Sequence, residues 1–261
     1  MPERPGNVNA SPGWRCVDLL SDQHLQASEP GTFACWRDFL ARSPADAVFL
    51  LGDVFEVWVG DDVLDAPDTG SGDRDFARTC ADVLRTLSRL KPVYLIPGNR
   101  DFLLGERFFA ATGIQPLADP AVLHWGSHRW LLSHGDAQCV ADTDYQRFRA
   151  EVRSPAWQAN FLAQPLAERE TIARGIRAGS EQRKRQNMAW TDLDTDAVRS
   201  QLQAAGANVL IHGHTHQPAE HDLGDGFARW VLSDWDADAH PPRGQALRLW
   251  ADGRFEHIAA C

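Results

Sequence analysis

Short apolar runs recur along the chain, and each one ends in a turn rich in glycine, aspartate, asparagine or histidine. The runs are CVDLLSDQHL (16–25), AVFLLGDVFE (47–56), VYLIPGNRDF (93–102), RWLLSHGD (129–136) and NVLIHGHTH (208–216). Short runs rich in Val, Ile and Leu predict buried strands, although their periodicity alone also fits a segment of buried helix.

Amphipathic patterns separate these runs. FACWRDFLARS (33–43), DFARTCADVLRTLSRL (75–90) and TDAVRSQLQAAG (195–206) each place apolar residues at helical spacing. Towards the end of the chain, residues 228–236 and 246–258 predict antiparallel strands, the second with an Asp-Gly turn. Strands that alternate with helices indicate a layered α/β fold, in which ligands bind at the carboxyl ends of the strands.

One segment differs from this alternation. Residues 143–192 are helical in pattern and are broken at Pro155 and Pro165. Residues 145–190 contain nine Arg or Lys against four Glu, a net of +5, in a chain of net charge −10. We interpret the segment as a helical insertion into one domain. The expected division is a flexible leader (1–13), a first part of the core (14–142), the insertion (143–192) and a second part of the core (193–261).

Charge and cysteine content narrow the class of protein. An acidic chain is not typical of a general nucleic-acid binder, so we expect no nucleic-acid partner. The first fourteen residues contain no apolar run, so we expect no signal peptide, and no run approaches a membrane-spanning length. The five cysteines are odd in number and contain no C-x-x-C pair, which favours a reducing compartment over a disulfide framework.

Each side chain that could bind a metal lies within a few residues of the end of an apolar run. They are Asp22, His24, Asp53, Asn99, His134, His212, His214 and His216. Strand-like alternation would place the last three histidines on one side, although a short histidine cluster can also be a loop that binds nothing. Carboxylate, amide and imidazole ligands without thiolate suit Mn²⁺, Fe²⁺ or Zn²⁺, and this many ligands suit two ions that clamp a phosphoryl oxygen.

The order D-x-H, G-D, G-N-x-D, H and G-H-x-H, from residue 16 to about 235, resembles the calcineurin-like metallophosphoesterases. Longer stretches are similar to the branch of that family that hydrolyses UDP-2,3-diacylglucosamine in lipid A synthesis. They are LGDVFEVWVGDD (51–62), GNRDFLLGERF (98–108), HGDAQCVADTDYQRFR (134–149) and LIHGHTHQPAEH (210–221). Arg100 replaces the histidine usual in the wider family and marks this branch. Gln23 and Gln217 depart from it, standing where Leu and Arg are common.

The resemblance implies an αββα metallophosphoesterase sandwich with the helical insertion as a lid. It also implies two divalent ions, with Mn²⁺ expected, and Asp53 as the bridging ligand. One ion would be held by Asp22, His24, Asp53 and His216. The other would be held by Asp53, Asn99, His134 and His214. His212 is then expected to support the site without binding an ion.

The implied reaction is cleavage of the pyrophosphate of UDP-2,3-diacylglucosamine to UMP and 2,3-diacylglucosamine 1-phosphate, by attack of a metal-bridging hydroxide on the α-phosphorus. Asn99, Arg100 and His214 are the expected catalytic residues. The expected substrate contacts are Asn99, Arg100, Asp142, Ser180, His214 and either Lys184 or Arg185. The alternatives are another dinuclear-metal phosphodiesterase or phosphatase of the same family, and a scaffold that has kept the fold without the activity.

For such a substrate, the insertion is expected to supply an apolar chamber beside a cationic grip. The expected lining is Trp157, Phe161, Leu162, Leu166, Ile172 and Ile176, with Arg149, Arg153, Arg177 and Lys184 around it. A basic amphipathic segment also suits an anionic membrane surface. We therefore expect a cytoplasmic monomer that attaches peripherally to the inner membrane.

Overall fold

The computed structural model describes residues 6–65, 72–185 and 192–261, and for residues 178–185 it describes the backbone alone. The strands are β1 Gly6–Asn9, β2 Cys16–Leu20, β3 Ala47–Leu50, β4 Val93–Leu95, β5 Gln115–Pro116, β6 Ala121–Trp125, β7 His128–Leu132, β8 Val209–His212, β9 Ala219–Gly224, β10 Phe227–Val231, β11 Gln245–Trp250 and β12 Phe255–Ala259. The helices are α1 Pro30–Arg42, α2 Asp73–Ser88, α3 Glu106–Thr112, α4 Thr143–Val152, α5 Pro155–Leu162, α6 Leu166–Arg185 and α7 Thr195–Ala205.

The strands form two six-stranded sheets, in the orders β1-β6-β7-β8-β10-β9 and β12-β11-β2-β3-β4-β5. Phe49 of β3 points into the core between the sheets, where it joins Leu132 and Ile211 of the other sheet. Its neighbour Leu50 points the other way, into the core that α1 and α2 share with the second sheet. Helix α7 covers the outer face of the first sheet. The predicted αββα sandwich is therefore confirmed.

Burial on both faces explains the run-like sequence pattern of the central strands. In β3, side chains alternate between two cores, and all four residues of the strand are buried. A strand that faces water on one side would show alternating polar residues, whereas this one reads as a continuous apolar run. The predicted strands at the five runs are all present.

The N-terminal prediction was wrong in part. Gly6–Asn9 form β1, which pairs in parallel with β6 from Gly6 opposite Ala121 to Asn9 opposite His124. An edge strand is held by backbone hydrogen bonds, so the short, polar stretch GNVN carries little side-chain signal. Residues 6–9 are therefore part of the sheet and not of a flexible leader.

The C-terminal strands follow the prediction more closely. Strands β11 and β12 form the expected antiparallel hairpin. Strand β10 is antiparallel to β9, which the sequence pattern did not indicate, and parallel to β8. Helix α2 ends at Ser88, two residues short of the predicted end, and Leu90 is 76% exposed.

The expectation of no disulfide was also wrong. Cys35 in α1 and Cys261 after β12 are joined by a disulfide across a sequence separation of 226 residues. No local spacing could indicate this pair, because only the pairing of β12 with β11 brings the end of the chain beside α1. Cys16, Cys80 and Cys139 are buried free thiols.

Three helices, α4 to α6, occupy most of the segment 143–192. Helix α5 begins at Pro155, because proline suits the first turn of a helix, and α6 begins directly after Pro165. Ion pairs join α6 to the core: Arg169, which is 2% exposed, binds Asp62, and Glu170 binds Arg74. Among the described residues, no helix is long and apolar enough to cross a membrane.

Candidate metal centre

The predicted ligands lie at backbone positions of unusual conformation. Among the described residues, six non-glycine residues have a positive φ, and five of them are predicted ligands: Asp22, His24, Asp53, His214 and His216. Left-handed backbone is unfavourable for these residues and persists where the surrounding structure enforces it, often at functional sites. Each of these turns follows β2 or β3 of one sheet or β8 of the other, so both sheets deliver side chains to one site.

A first group consists of Asp22, His24 and His216, whose potential ligand atoms all lie within 4.8 Å of one another. The Nε2 atoms of His24 and His216 are 3.1 Å apart. Asp22 Oδ1 lies 3.3 Å from His216 Nε2, and it is buried without a hydrogen bond of normal geometry from the described residues. Two imidazole nitrogens facing each other beside a buried carboxylate oxygen fit a shared cation.

A second group is built around Asn99. Its Oδ1 lies 2.9 Å from His134 Nε2 and 2.9 Å from His214 Nδ1. Asp53 lies between the two groups, with Oδ1 3.7 Å from His134 Nε2 and Oδ2 3.9 Å from His24 Nε2. Each of the seven predicted ligands therefore lies in one of two adjoining groups, and Asp53 faces both.

Close backbone approach makes this packing possible. A side chain at Gly98 would collide with Asp53, and one at Gly213 would collide with Ser21 and Asp22. Asp101 is fully buried and accepts hydrogen bonds from the backbone amides of Gly98, at 2.7 Å, and Val54, at 2.8 Å. The aspartate of the G-N-x-D motif therefore fixes the loops that carry Asp53 and Asn99.

Electrostatics show which forms of the histidines the site favours. Burial opposes a charge on His134, but the carboxylates of Asp53 and Asp22 prevail and raise its pKa to about 9. Burial and the neighbouring His134 lower the pKa of His214 to about 3, so this imidazole keeps its lone pair at neutral pH. The centre thus attracts positive charge, and His214 offers a neutral nitrogen ligand, which suits a divalent metal ion.

His212 does not face this centre. It is the last residue of β8, is fully buried, and has its Nδ1 atom 2.8 Å from the carbonyl oxygen of Gly213. Burial lowers its pKa to about 4. The simple alternation predicted for the three histidines was wrong, because the strand ends at His212 and the other two sit in left-handed turns.

The expected substrate contacts are distributed around the centre. The Arg100 side chain is 17% exposed, and its backbone amide donates to Asp53 Oδ1 at 2.8 Å. Asp142 is exposed and caps α4 by accepting a hydrogen bond from the amide of Tyr145. Ser180, Lys184 and Arg185 lie in α6, where their side chains fall outside the described residues.

Sequence reasoning named Arg149 and Arg153 but missed their contacts, and it missed Asp136 and Tyr145. The buried Asp136 accepts hydrogen bonds from the Tyr145 hydroxyl, at 2.7 Å, and from Arg149 Nε, at 2.8 Å. The ring of Tyr145 stacks on His214, with 6.0 Å between ring centroids. Arg153 donates to the carbonyl oxygen of Gly98 at 2.9 Å. The only sequence signal was the H-G-D order at His134, since contacts between α4 and the strand ends depend on the fold.

Glu56 was missed as well. It is 8% exposed and follows Asp53 by three residues, so it lies on the same loop. Burial alone would raise its pKa, but the neighbouring His24, Arg100 and Arg177 hold the pKa at about 2. A buried, ionised carboxylate therefore stands beside the first group of ligands.

A cavity opens beside the metal centre, between the core and the insertion. It measures about 500 Å³ including its open mouth, and Asn99, Arg100 and Arg177 lie at its polar side. Trp157, Phe161 and Ile176 line it, as the sequence predicted. Leu162 and Ile172 instead face solvent, and Leu166 packs against the core shared with α1 and α2. Arg149 and Arg153 are engaged with Asp136 and Gly98.

The fold and the paired carboxylate–histidine groups define a class of protein. The profile of the calcineurin-like phosphoesterases matches residues 17–218. The chain therefore belongs to the calcineurin-like phosphoesterase family. Divalent metal ions serve proteins of this family. Two groups of side chains could hold them in this chain: Asp22, His24 and His216, and Asp22, Asp53 and His134.

Within that family the chain is similar to proteins that share one name. The UDP-2,3-diacylglucosamine hydrolase of Chromobacterium violaceum is 43% identical over 242 residues, which cover 89% of this chain and 94% of that protein. The UDP-2,3-diacylglucosamine hydrolase of Bordetella pertussis is 41% identical, covering 90% and 92%. Among solved structures, an archaeal phosphodiesterase aligns over 93% of this chain and 98% of its own, with a TM-score of 0.46 and 11% identity.

Proposed function

We propose that this protein hydrolyses the pyrophosphate bond of UDP-2,3-diacylglucosamine, giving UMP and 2,3-diacylglucosamine 1-phosphate in lipid A synthesis. The observation that carries the proposal is the junction of two features: a carboxylate–histidine centre for two ions and an apolar cavity edged by Arg100 and Arg177. The names of the relatives, at 43% and 41% identity over most of both chains, support the same substrate.

In this proposal the ligands divide as the sequence motif implies, and Mn²⁺ is the expected metal. Asp22, His24, Asp53 and His216 hold one ion, and Asp53, Asn99, His134 and His214 hold the other. Two bound divalent ions supply Lewis acidity to phosphoryl oxygens and lower the pKa of water, so that attack at neutral pH needs no separate protein base.

The side chains of the chain itself orient the substrate. Arg100 presents a planar guanidinium beside the centre and can bind phosphoryl oxygens in a bidentate manner. Asn99 and His214 share a contact of 2.9 Å, which fixes both side chains at the phosphate end of the cavity. Asp142, Ser180 and one of Lys184 or Arg185 complete the contacts to the UDP-sugar in this proposal.

The insertion serves as a lid whose helices α5 and α6 supply the acyl-chain side of the cavity. Phe161 is buried there, and Trp157 stacks on it with ring centroids 4.7 Å apart. Ile172 and Ile176 of α6 are 38% and 40% exposed, and we propose that they meet the membrane that supplies the lipid. In this proposal the protein acts as a monomer that attaches peripherally to the cytoplasmic face of the inner membrane.

The experiment is an assay of the purified protein with Mn²⁺ on UDP-2,3-diacylglucosamine and on bis-p-nitrophenyl phosphate. We expect rapid release of UMP from the lipid substrate and slow cleavage of the simple diester. Asp53→Ala should abolish both activities and lower the bound metal. Fast turnover of the diester with none of the lipid would show that the protein is another phosphodiesterase of the family.

A pair of variants on one helix tests the cavity. Phe161→Ala removes a buried ring from the lining. We expect it to raise KM for the diacylated substrate about 10-fold or more, because the lost apolar contact is worth about 1–3 kcal/mol. Leu162→Ala, next in the chain but outside the lining, is the matched control and should keep the wild-type KM. Equal values of KM for both variants would show that the acyl chains do not bind in this cavity.

A further inference from the structure

Glu56 makes three contacts with parts of the site that otherwise lie apart. Its Oε2 atom lies 2.8 Å from Nδ1 of His24. Its Oε1 atom lies 3.0 Å from Nε of Arg177 and 3.7 Å from Nη1 of Arg100. The two oxygens of one carboxylate thus divide between a predicted metal ligand and two guanidinium groups.

The contact with His24 is of the kind that supports a metal ligand. A carboxylate behind the distal nitrogen of an imidazole favours the tautomer that keeps its lone pair on the metal side, and it raises the basicity of the ring. The contact here is close, although its angle falls outside that of a well-directed hydrogen bond. In comparison, Asp234 lies 3.8 Å from Nδ1 of His216, and His134 has a backbone carbonyl, that of Leu51, at 2.9 Å. Glu56 is therefore the closest carboxylate behind the three rings.

The contacts on the other oxygen connect two separate parts of the chain. Arg100 belongs to the loop after β4, and Arg177 belongs to α6 in the insertion. Both line the cavity beside Asn99. Their side chains are 17% and 34% exposed, so both are partly withdrawn from water, where an ion pair gains strength. Glu56 is thus placed to hold both guanidinium groups at the mouth of the cavity.

We propose that Glu56 is a positioning residue that joins metal binding to substrate binding. Through Oε2 it fixes His24 for one ion, and through Oε1 it fixes Arg100 and Arg177 for the phosphate groups of the substrate. This inference rests on the proposed function only for the identity of that substrate. The link itself depends on the three contacts of Glu56.

The chemistry of an amide shows why the charge matters. His24 Nδ1 and both guanidinium groups are hydrogen-bond donors, so each needs an acceptor. A glutamine has one acceptor oxygen and one donor NH₂ group, so Glu56→Gln can satisfy only one of the two sides. Glu56→Asp keeps both acceptors and the charge but is shorter by one methylene group, so it cannot span the same gap.

The first experiment measures Mn²⁺ binding to the metal-free full-length protein by calorimetry, with no substrate present. We expect Glu56→Gln to weaken one of the two Mn²⁺ binding steps about 10-fold or more, which is the usual effect of losing such a partner. Two matched controls replace carboxylates elsewhere: Glu220→Gln removes the partner of His257, and Glu170→Gln removes the ion pair of α6 with Arg74. Both controls should bind Mn²⁺ as the wild type does.

The second experiment measures KM and kcat at saturating Mn²⁺. We expect Glu56→Gln to raise KM for UDP-2,3-diacylglucosamine about 10-fold even when the metal sites are filled, because Arg100 and Arg177 are no longer held. Compared with Glu56→Gln, Glu56→Asp should either bind Mn²⁺ more tightly or have a KM closer to that of the wild type, but not both. Wild-type Mn²⁺ affinity in Glu56→Gln, or a wild-type KM at saturating Mn²⁺, would overturn the proposal.

Two further measurements separate the possible causes of failure. Arg177→Gln removes a partner of Oε1 and leaves His24 untouched, so it should raise KM without changing Mn²⁺ affinity; a loss of Mn²⁺ affinity would contradict the division between the two oxygens. This variant also keeps the test decisive if thermal unfolding shows that Glu56→Gln does not fold. If the wild type does not cleave the lipid substrate, the proposed function fails, while the Mn²⁺ titrations still decide the role of Glu56.

Discussion

His24 and His216 are 192 residues apart in the chain, yet their Nε2 atoms lie 3.1 Å apart. Two imidazole nitrogens at this distance face the same point, with Asp22 Oδ1 beside them. Both residues have a positive φ, at 47° and 52°, so the backbone accepts an unfavourable conformation to bring them together. The contact marks the point where the first and last ligand segments of the chain meet.

The three histidines of the cluster should respond differently to substitution. His214→Ala and His216→Ala each remove a proposed ligand, and we expect each to lower kcat/KM more than about 100-fold and to lower the bound Mn²⁺. His212→Ala should lower kcat/KM less than about 10-fold, because the ring is fully buried and its Nδ1 atom lies 2.8 Å from the carbonyl oxygen of Gly213, not from a proposed ligand. Steady-state kinetics and metal analysis check this division. Equal losses at all three positions would contradict it.

Removal of metal should destabilise the folded protein. The ligand carboxylates Asp22 and Asp53 are buried side by side with the histidines, so ions that bind only the folded state shift its equilibrium with the unfolded chain. We expect Mn²⁺ at about 100 times its Kd to contribute about 3 kcal/mol and to raise Tm by about 5–10 °C over the protein in EDTA. Calorimetric or fluorescence melts measure the shift.

The matched variant for this measurement is Asp53→Ala. It removes the carboxylate that faces both groups, so its Tm should respond much less to Mn²⁺ than that of the wild type. An unchanged Tm of the wild type in EDTA and in Mn²⁺ would show that the centre holds no ion under those conditions.

Gln23 offers a stabilising substitution. Its side chain is fully buried, and neither atom of its amide has a hydrogen-bond partner among the described residues. A buried amide without partners costs about 1–3 kcal/mol, so Gln23→Leu should raise the free energy of unfolding by about 1–2 kcal/mol. Gln138→Leu is the contrasting variant, because the buried amide of Gln138 donates a hydrogen bond to Gln201 at 2.8 Å. Loss of this hydrogen bond should lower the free energy of unfolding. Urea unfolding at neutral pH compares the two.

The Asp62–Arg169 pair should give a pH-dependent contribution to stability. The hydrogen bonds from Arg169 hold the pKa of Asp62 below its usual value. Because the folded pKa is lowered, the contribution is full above the pKa of the unfolded chain, near 4, and is lost as the pH falls through the folded pKa. We expect Asp62→Asn to cost about 1–2 kcal/mol at pH 7, between the values for surface and buried pairs.

Thermal melts from pH 7 to pH 3 provide the measurement. The difference in Tm between the wild type and Asp62→Asn should shrink as the pH falls below about 4. A difference in Tm that stays constant down to pH 3 would show that Asp62→Asn loses stability through packing and not through the ion pair.

The Cys35–Cys261 disulfide should stabilise the fold without touching the reaction. It closes a loop of 226 residues between α1 and the end of β12, and removal of a native disulfide commonly costs about 2–4 kcal/mol. We expect Cys35→Ser to lower Tm and to leave kcat/KM unchanged, because neither cysteine lies in the metal centre. Thermal melts and steady-state kinetics of Cys35→Ser and the wild type check this, and a wild-type Tm in Cys35→Ser would contradict it.

Much of the fold could be predicted from local pattern. The buried strands β2, β3 and β4 read as apolar runs because both faces are covered, and α2 and α7 read as helices because one face is apolar. Short polar edge strands such as β1 could not be predicted, since backbone pairing holds them and leaves almost no trace in side-chain chemistry.

The sequence by itself determined which residue types stand at the strand ends, and the order of Asp22, Asp53, Asn99, His134 and the last histidines was enough to indicate a metal centre. The tertiary structure alone decided which of them converge. His212 could not be told from His214 by spacing, because the difference is a left-handed turn after the strand ends. Glu56 joins His24 to Arg177 only because the chain folds α6 onto the loop after β3, and Cys35 meets Cys261 only because β12 ends beside α1. Contacts of this kind depend on distance in space, and a sequence specifies them only through the whole fold.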